Sequence, residues 1–366
     1  MTARPPPEFS VGLIGWMRSN LFASPTDALL TLIGVFGIYY LGAGVLDWAI
    51  LKASFAGDGR AACLAPDQGA CWPFITAKLG QFVYGRYPVE LYWRVDLVFA
   101  TGLAGLIPML TPRAPYKRAN VIYLLAFYPV FAFVMLSGGV FGLAPVATTE
   151  WGGLLVTLVV AVTGITASLP LGIALALGRR SHLPVVRYVC IGFIELFRGV
   201  PLITVLFMAS VMLPLFLPEG VNFDKLLRCL IGVALFSAAY MAEVVRGGLQ
   251  AIPKGQYEAA AALGLNYRVS HRRIILPQAL KLVIPGIVNT FIGLFKDTTL
   301  VLIVGLFDLL GIVQFHFTDA GWATPQTHIT GYVFAGAVFW AFCFAMSRYS
   351  MGMEKRLGRS ERETAQ

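Results

Sequence analysis

The sequence predicts an all-α integral membrane protein with about eight transmembrane helices, and its composition, its apolar segments and its charge distribution support this fold class. Hydrophobic residues make up 57% of the 366 residues and charged residues only 13%, whereas charged residues make up about a quarter of a soluble domain. The net charge of +9 does not indicate a nucleic-acid-binding protein. The basic residues lie between the apolar segments and do not form one basic face with interleaved aromatic residues.

Eight apolar segments approach the length of about 20 residues that crosses the hydrocarbon core of a bilayer as a helix. These segments are residues 28–46, 97–111, 119–142, 151–178, 188–217, 229–245, 282–305 and 330–347. They divide the chain into an N-terminal tail (1–27), a three-helix extension (28–150), a five-helix portion (151–348) and a C-terminal tail (349–366). The N-terminal tail lacks the pattern of a cleaved secretory signal and is expected to remain in the protein.

The positive charges predict the orientation of the helices. With the first residue inside, 19 Lys and Arg residues lie in cytoplasmic segments and 7 in outer segments, as the positive-inside rule requires. Both termini are then cytoplasmic, and the long polar loop of residues 52–94 is periplasmic. Cys63 and Cys71 lie in this outer loop, where an oxidising compartment favours a disulfide between them.

The remaining cysteines and the histidines give no sign of a reactive centre. Cys190, Cys229 and Cys343 lie in or beside apolar spans and are expected to be packing residues. The histidines are scattered without ligand spacing, so no metal site is expected; they are His182, His271, His316 and His328. The sequence also lacks a GxxxxGK[ST] phosphate loop, a Gly-x-Ser-x-Gly elbow and a His-Glu-x-x-His motif. We therefore expect a protein that is not an enzyme, has no ATPase site of its own and holds no cofactor.

One segment, residues 255–277, is a polar and basic insert between two apolar spans. Its alanine-rich first half, residues 257–263, favours a helix, and Gly264 can leave that helix with a positive φ. A second short helix is expected to begin with Asn266 as its cap and to end before Pro277. Such a helix-turn-helix suits a groove on another protein. The alternative is an ordinary loop that its arginines hold at the inner membrane face.

The spacing of this insert resembles the signature of the coupling loop in ABC importer permeases. That signature is Glu-Ala-Ala, three residues, Gly, nine residues, Ile, one residue and Leu-Pro. This chain carries all of its members, which are Glu258, Ala259, Ala260, Gly264, Ile274, Leu276 and Pro277. The resemblance implies a coupling loop at residues 247–281 within a type I permease core of five helices.

Further segments are similar to permeases of polar and general L-amino-acid importers, including a type with an N-terminal extension of three spans. The similarity covers residues 151–358 and includes residues 194–202, 276–280 and 295–300. It implies translocation of L-amino acids across the bacterial inner membrane by alternating access. The implied partners are a dimer of ATPase subunits that uses ATP and Mg, a second and homologous permease subunit, a periplasmic amino-acid-binding protein and membrane lipid. No nucleic acid is expected.

Two alternatives to this function remain open. A self-sufficient secondary amino-acid carrier or channel would work without an ATPase and would often show internal repeats, which the sequence does not clearly contain. A membrane enzyme or a purely structural subunit is disfavoured because the catalytic motifs are absent.

Four ionisable residues in or near the spans are candidates for the substrate path. Glu195 and Arg198 lie three residues apart on one predicted helix and are expected to neutralise each other, either as a structural anchor or as part of an inner gate. Gly199 and Pro201 follow and permit a bend. Two other residues lie well inside the seventh span, namely Lys296 and Asp297. They are expected either to bind the charged groups of a zwitterionic amino acid or to pair internally. A further pair, Glu243 and Arg246, is expected to be structural.

Overall fold

The computed structural model describes residues 12–111, 114–218 and 223–364, and within them the chain is helical with only isolated β-bridges. The predicted N-terminal tail is thus described only from Gly12, and its residues 1–11 lie outside the described part of the chain. Arg113, which contributes to the predicted inner charge, and residues 365–366 of the predicted C-terminal tail also lie outside it.

Sixteen α-helices follow one another in the described ranges. The N-terminal helices are α1 (Gly12–Asn20), α2 (Pro25–Leu46), α3 (Trp72–Tyr84), α4 (Tyr92–Leu110), α5 (Lys117–Ile122) and α6 (Tyr128–Ser137). The next group is α7 (Gly153–Arg179), α8 (Pro184–Gly199), α9 (Leu202–Phe207), α10 (Lys225–Ala251) and α11 (Lys254–Ala262). The last group is α12 (Tyr267–Ser270), α13 (Leu276–Leu282), α14 (Ile284–Asp297), α15 (Leu309–Phe315) and α16 (Pro325–Thr364).

Seven of the described helical segments are long and apolar enough to cross a membrane, and a bent pair brings the number to eight. The seven are Pro25–Leu51, Val89–Leu110, Lys117–Ser137, Gly153–Arg179, Lys225–Ala251, Ile284–Val304 and Pro325–Leu357. The bent pair joins Pro184–Gly199 to Leu202–Phe216 at an angle of 105°. The predicted all-α membrane fold with about eight spans is therefore confirmed, as seven spans or as eight when the bent pair counts as one. The bend lies where Gly199 and Pro201 weaken the helix.

The segment of residues 52–94 is more ordered than the predicted loop. It contains α3, a helix of 13 residues, and it ends inside α4. Phe74 and Phe82 of α3 are fully buried, so an apolar face stabilises this helix. With 13 residues it is too short to be predicted as a span. Arg94, expected in the loop, is buried in the first turn of α4 and donates to the Ala144 carbonyl at 2.8 Å.

The expectation that the second short helix ends before Pro277 is wrong. A π-helical turn, His271–Ile275, connects α12 directly to α13, and Pro277 lies in the first turn of α13. Proline lacks an N–H and its ring crowds the carbonyl four residues earlier. The wider π turn, in which hydrogen bonds reach five residues back, accommodates that ring without ending the helix. Two other π turns, Tyr123–Phe127 and Met208–Met212, likewise end two residues before a proline.

The described chain divides into two compact units. The first comprises Met1–Thr76 and Asp319–Thr330. Within it, Cys63 and Cys71 form a disulfide with their Cα atoms 5.6 Å apart. The Cys71 N–H donates to Thr330 Oγ1, and the Trp72 indole N–H donates to the Ala49 carbonyl, each at 2.9 Å. These bonds connect the disulfide region to the end of the first span and to the start of α16.

The second unit comprises Ala77–Thr318 and Gly331–Gln366, and two apolar clusters stabilise it. One cluster joins Val95 and Leu136 of the extension to Leu155 of α7. The other packs the inner ends of α7, α8 and α10 against the segment that follows α10, through residues such as Met241 and Ile275. Helices α7 and α10 approach closely at Gly172, because a Cβ atom at that position would lie only 2.7 Å from the Met241 side chain. Small residues permit such close contacts in membrane helix pairs.

Candidate functional site

The signature residues lie on a compact helical element, Lys254–Leu282, which we call the coupling segment. Gly264 ends its first helix with a φ of +68°, and the Asn266 side chain caps the next helix by accepting from the Val269 N–H at 2.9 Å. Both features agree with the expectations from the sequence. A Cβ atom added at Gly264 would meet nothing within 4 Å, so glycine is needed there for its backbone conformation rather than for space within this chain.

The coupling segment has an inner and an outer face. Ala260 and Ile275 are buried. Ile275 packs in the cluster at the end of α10, and Ile274 and Leu276 pack against the same cluster. Other signature residues are exposed on the opposite side, namely Glu258, Ala259, Gly264 and Pro277. The segment is thus fixed to the spans on one side and presents signature residues to the surroundings on the other.

Arg180 and Tyr257 connect the coupling segment to two spans. The Tyr257 hydroxyl donates to the Leu249 carbonyl of α10 at 2.9 Å. The Arg180 guanidinium, just after α7, donates to the same carbonyl and to the Tyr257 hydroxyl, both at 3.2 Å. Neither residue is predicted from the sequence to have a role. The only signal was a tyrosine on the signature helix and a pair of arginines at the end of a span.

An aromatic group stabilises the turn of the coupling segment. The His271 ring stacks on Tyr267 with centroids 3.8 Å apart and meets Tyr257 edge-on at 6.0 Å. Burial and the positive charge of Arg180 lower the pKa of His271, against a hydrogen bond to the Tyr267 carbonyl that raises it. The neutral imidazole is therefore the form that fits this packing.

An ion cluster lies beside the coupling segment at the ends of α7, α8 and α10. The Glu243 carboxylate forms ion pairs with the guanidinium groups of Arg179 at 2.9 Å, Arg246 at 2.8 Å and Arg198 at 3.6 Å. Glu195 contacts Arg179 at 3.1 Å. The expected direct pair of Glu195 and Arg198 is not formed, because each of them faces a charge from another helix.

Lys296 and Asp297 end α14 in the middle of the predicted seventh span. Lys296 is exposed and Asp297 is partly buried. Among the residues that the structure describes, neither forms an ion pair or a side-chain hydrogen bond. The alternative, in which they pair internally and fix the span against its neighbours, is therefore not observed in the described part of the chain. The described side chains also include no group of three or more His, Cys, Asp or Glu residues that could hold a metal ion.

Asp308 is a buried carboxylate that is not among the residues predicted from the sequence. It is fully buried and caps α15 by accepting from the N–H groups of Gly311 and Leu310. Burial raises its pKa to about 6, which those two hydrogen bonds oppose. An Asp directly before an apolar helical run is a recognisable capping signal, so this residue could have been found.

Fold and site together define a multi-pass membrane protein with a helical coupling element, and comparisons with known proteins specify its family. Residues 168–359 match the family of binding-protein-dependent transport system inner membrane components. The chain belongs to this family and is therefore a permease subunit of an ABC importer. This confirms the predicted class in preference to a self-sufficient carrier.

Two relatives match almost the whole chain. The inner membrane amino-acid ABC transporter permease protein YhdY of Escherichia coli (strain K12) is 51% identical over 353 residues, which cover 96% of this chain and 95% of the relative. The glutamate/glutamine/aspartate/asparagine transport system permease protein BztC of Rhodobacter capsulatus is 41% identical, over 99% of this chain and 98% of the relative. The similarity thus includes the N-terminal extension.

A solved structure described as an amino acid ABC transporter with histidines has a similar fold. It superposes with a TM-score of 0.50 and 28% sequence identity, covering 56% of this chain and 92% of that chain. The shared fold therefore accounts for somewhat more than half of this protein.

Proposed function

We propose that this chain forms the translocation path of an importer for L-amino acids, and that a separate ATPase drives it through the coupling segment. The observation that carries the proposal is the coupling segment itself. Its buried face is fixed to α7 and α10, while Glu258, Ala259 and Gly264 are exposed in a conformation that depends on a positive φ. An element of this kind can transmit a displacement from a docked protein to the spans.

The amino-acid class rests on the relatives. YhdY is described as an amino-acid transporter permease, and BztC as a permease for glutamate, glutamine, aspartate and asparagine. Both match the chain over nearly its full length, so a substrate with an α-amino and an α-carboxyl group is the best supported class.

Movement of the coupling segment reaches the spans through Arg180 and Tyr257. Their hydrogen bonds share the Leu249 carbonyl, so α7, α10 and the first coupling helix are connected at one point. The ion cluster around Glu243 lies on the same ends of α7, α8 and α10. We assign Glu195 and Arg198 to the inner gate, where a change in helix spacing separates them from their present partners.

Lys296 and Asp297 are our candidates for contact with the substrate or its path. Lys296 follows the start of α14 by 12 residues, or about 18 Å along the helix axis, which is near the middle of the hydrocarbon core. A charged side chain exposed at that depth is costly in lipid. It is therefore expected to face a water-lined path or a second permease subunit, and the two side chains together offer one cationic and one anionic partner to a zwitterion.

The proposal includes four further elements that the family implies. They are a pair of ATPase subunits that use ATP and Mg, a second and homologous permease subunit, a periplasmic amino-acid-binding protein, and an orientation with both termini in the cytoplasm. This chain supplies no ATPase site and no cofactor in that arrangement.

Reconstitution tests the proposal. The chain is purified with the subunits that accompany it, placed in vesicles with ATP inside, and assayed for uptake of labelled L-amino acids in the presence of the periplasmic binding protein. Uptake is expected only with ATP and the ATPase subunit. Concentration of an amino acid by this chain alone would overturn the proposal and favour the secondary carrier.

Variants of Gly264 test the coupling role within the same assay. Gly264→Val forces a β-branched residue into a left-handed conformation and is expected to abolish ATP-driven uptake, while Gly264→Asn tolerates this conformation and should retain part of it. Gly255→Ala is the control, because Gly255 lies in regular helix and its added Cβ would meet nothing within 4 Å. Normal uptake by Gly264→Val would show that the turn does not transmit force.

A further inference from the structure

A basic cavity lies in the second unit between the N-terminal extension and the last helix. Its volume is about 330 Å³, within the range of small-molecule sites of about 300–1,000 Å³. Its walls come from the end of α4, the start of α5 and one face of α16, and its lining residues are Leu110, Lys117, Arg348, Tyr349, Gly352, Met353 and Arg356.

Three of the lining side chains are cations and none is a carboxylate. Among the side chains that the structure describes, none of Lys117, Arg348 and Arg356 forms an ion pair with an acidic residue. Arg348 instead lies over the Phe344 ring, with its guanidinium carbon 6.0 Å from the ring centroid. Three convergent cations without a protein counter-ion create a positive potential that favours an anion.

The lengths of the adjoining spans place the cavity near the depth of lipid headgroups. The span Val89–Leu110 ends at the wall of the cavity, and the span Lys117–Ser137 begins there. Arg348 follows the start of α16 by 23 residues, or about 35 Å of helix, slightly more than the hydrocarbon core of about 30 Å. Because successive spans alternate in direction, the cavity lies on the same side of the membrane as the coupling segment.

Its chemistry combines an apolar wall with a basic one. Leu110, Met353 and the Tyr349 ring provide surface for glycerol and acyl carbons, while the three cations face a phosphate. Basic pockets between transmembrane helices on the cytoplasmic side are suited to the headgroups of anionic lipids. We propose that this cavity binds the phosphodiester headgroup of an anionic phospholipid, which connects the N-terminal extension to α16.

Two double variants test the site. Lys117→Gln/Arg356→Gln removes one Lys and one Arg from the cavity. The control, Arg118→Gln/Lys355→Gln, removes the same two charges from the adjacent exposed positions, which do not line it. The full complex is stripped of lipid, exposed to vesicles of phosphatidylglycerol mixed with phosphatidylcholine, and analysed by native mass spectrometry for bound lipid.

We expect the cavity variant to bind phosphatidylglycerol about tenfold more weakly than the unmodified chain, with the control nearly unchanged. A third variant that keeps the charges, Lys117→Arg/Arg356→Lys, separates loss of charge from misfolding and should retain binding. Equal losses in the cavity and control variants would overturn the proposal, because only overall charge would then matter. Loss of binding in the third variant would overturn it as well.

Native mass spectrometry, together with thermal unfolding of the complex, distinguishes lipid from free phosphate. Inorganic phosphate is added at millimolar concentration in place of the vesicles, and vesicles of phosphatidylcholine alone serve as the neutral surface. We expect neither to occupy the site or to stabilise the complex against heat. Stabilisation by inorganic phosphate that depends on Lys117 and Arg356 would assign the cavity to a soluble anion and overturn the lipid proposal.

Discussion

Glu243 is the residue on which the ion cluster depends, because its carboxylate contacts arginines from three helices. Arg179 ends α7, Arg198 lies in α8 and Arg246 lies one turn further along α10. The Glu243 side chain is 16% exposed, whereas that of Glu195 is 56% exposed and, in the described part of the chain, pairs with Arg179 alone. Removing the shared carboxylate therefore leaves three guanidinium groups in mutual repulsion with less solvent to screen them.

We expect Glu243→Gln to destabilise the protein by about 1.5–3 kcal/mol, the range for hydrogen bonds to charged groups. Glu195→Gln is the matched control and should cost less than about 1 kcal/mol, as exposed ion pairs do. Thermal unfolding of the purified complex, followed by intrinsic fluorescence, measures both. Equal losses would mean that Glu243 does not have a central role in the cluster.

The sequence predicted some of these residues but not their partners. Glu195 and Arg198 are recognisable as ionisable residues at a helix end, and their spacing permits a local pair. Their actual partners, Arg179 and Glu243, lie 16 and 45 residues away along the chain. Local spacing cannot indicate which of several nearby charges from other helices is closest, since this depends on helix rotation and packing.

His271 makes the coupling segment sensitive to acid. Burial lowers its pKa in the folded protein, so the unfolded chain, with an imidazole pKa of about 6.5, binds the proton first as the pH falls. Stability is therefore full above about pH 6.5 and decreases as the pH drops from there towards the lowered pKa of the folded state, by at most about 1.4 kcal/mol per pH unit.

His271→Gln is expected to reduce this loss between pH 7.5 and pH 5.5, because no imidazole remains to be protonated at that position. Melting temperatures of the purified complex at the two pH values give the comparison. His182→Gln, which removes an exposed histidine, controls for the loss of an imidazole as such. An unchanged acid sensitivity in His271→Gln would contradict the prediction.

At the scale of elements, the backbone of α3 in the extension lies very close to the backbone at the start of α7 in the permease core. Gly153, at the start of α7, has a φ of +61°, and a Cβ there would lie 2.3 Å from the carbonyl oxygen of Phe82 in α3. The Gly153 N–H also donates to the Phe307 carbonyl at 2.9 Å. One glycine therefore allows α3, α7 and the segment before α15 to meet.

We predict that Gly153→Ala destabilises the protein by about 2–5 kcal/mol. About 1–2 kcal/mol arises from the left-handed conformation and the rest from overpacking. Gly139→Ala is the matched control, since Gly139 has a φ of +80° but an added Cβ would meet nothing within 4 Å. Denaturation of the two variants separates the cost of the left-handed conformation from the cost of overpacking. If both lose the same stability, the approach of α3 to α7 contributes nothing.

Apolar length and helix-breaking residues allowed most elements to be predicted. The eight spans, the bend after Gly199 and the turn at Gly264 all depend on local chemistry that the sequence shows directly. The helix α3 and the continuation of the helix past Pro277 were not predicted, for a different reason. Burial of Phe82 and a π turn before the proline are both responses to tertiary packing, which outweighs local propensity.

At the scale of the whole molecule, the number of spans and the positions of the positive charges predict the orientation in the membrane. If the bent pair counts as one span, the chain crosses the membrane eight times, and the proposed orientation then has both termini on the same side as the coupling segment. The excess of Lys and Arg in these segments, 19 against 7, favours the cytoplasm for that side. The same orientation predicts that the disulfide of Cys63 and Cys71 lies on the periplasmic side, where such bonds persist.

Cysteine labelling in spheroplasts tests this orientation, in a background where Cys190, Cys229 and Cys343 are replaced by Ala. After treatment with a reductant that does not cross the membrane, Cys63 and Cys71 are expected to react with an impermeant maleimide added outside. With those two also replaced by Ala, Lys355→Cys places a single thiol at an exposed position of α16.

That thiol should react with the same reagent only after the membrane is permeabilised, because the predicted orientation places the end of α16 in the cytoplasm. Reaction in intact spheroplasts would place this end of α16 outside. The coupling segment would then lie on the side without ATP, and no ATPase in the cytoplasm could reach Gly264.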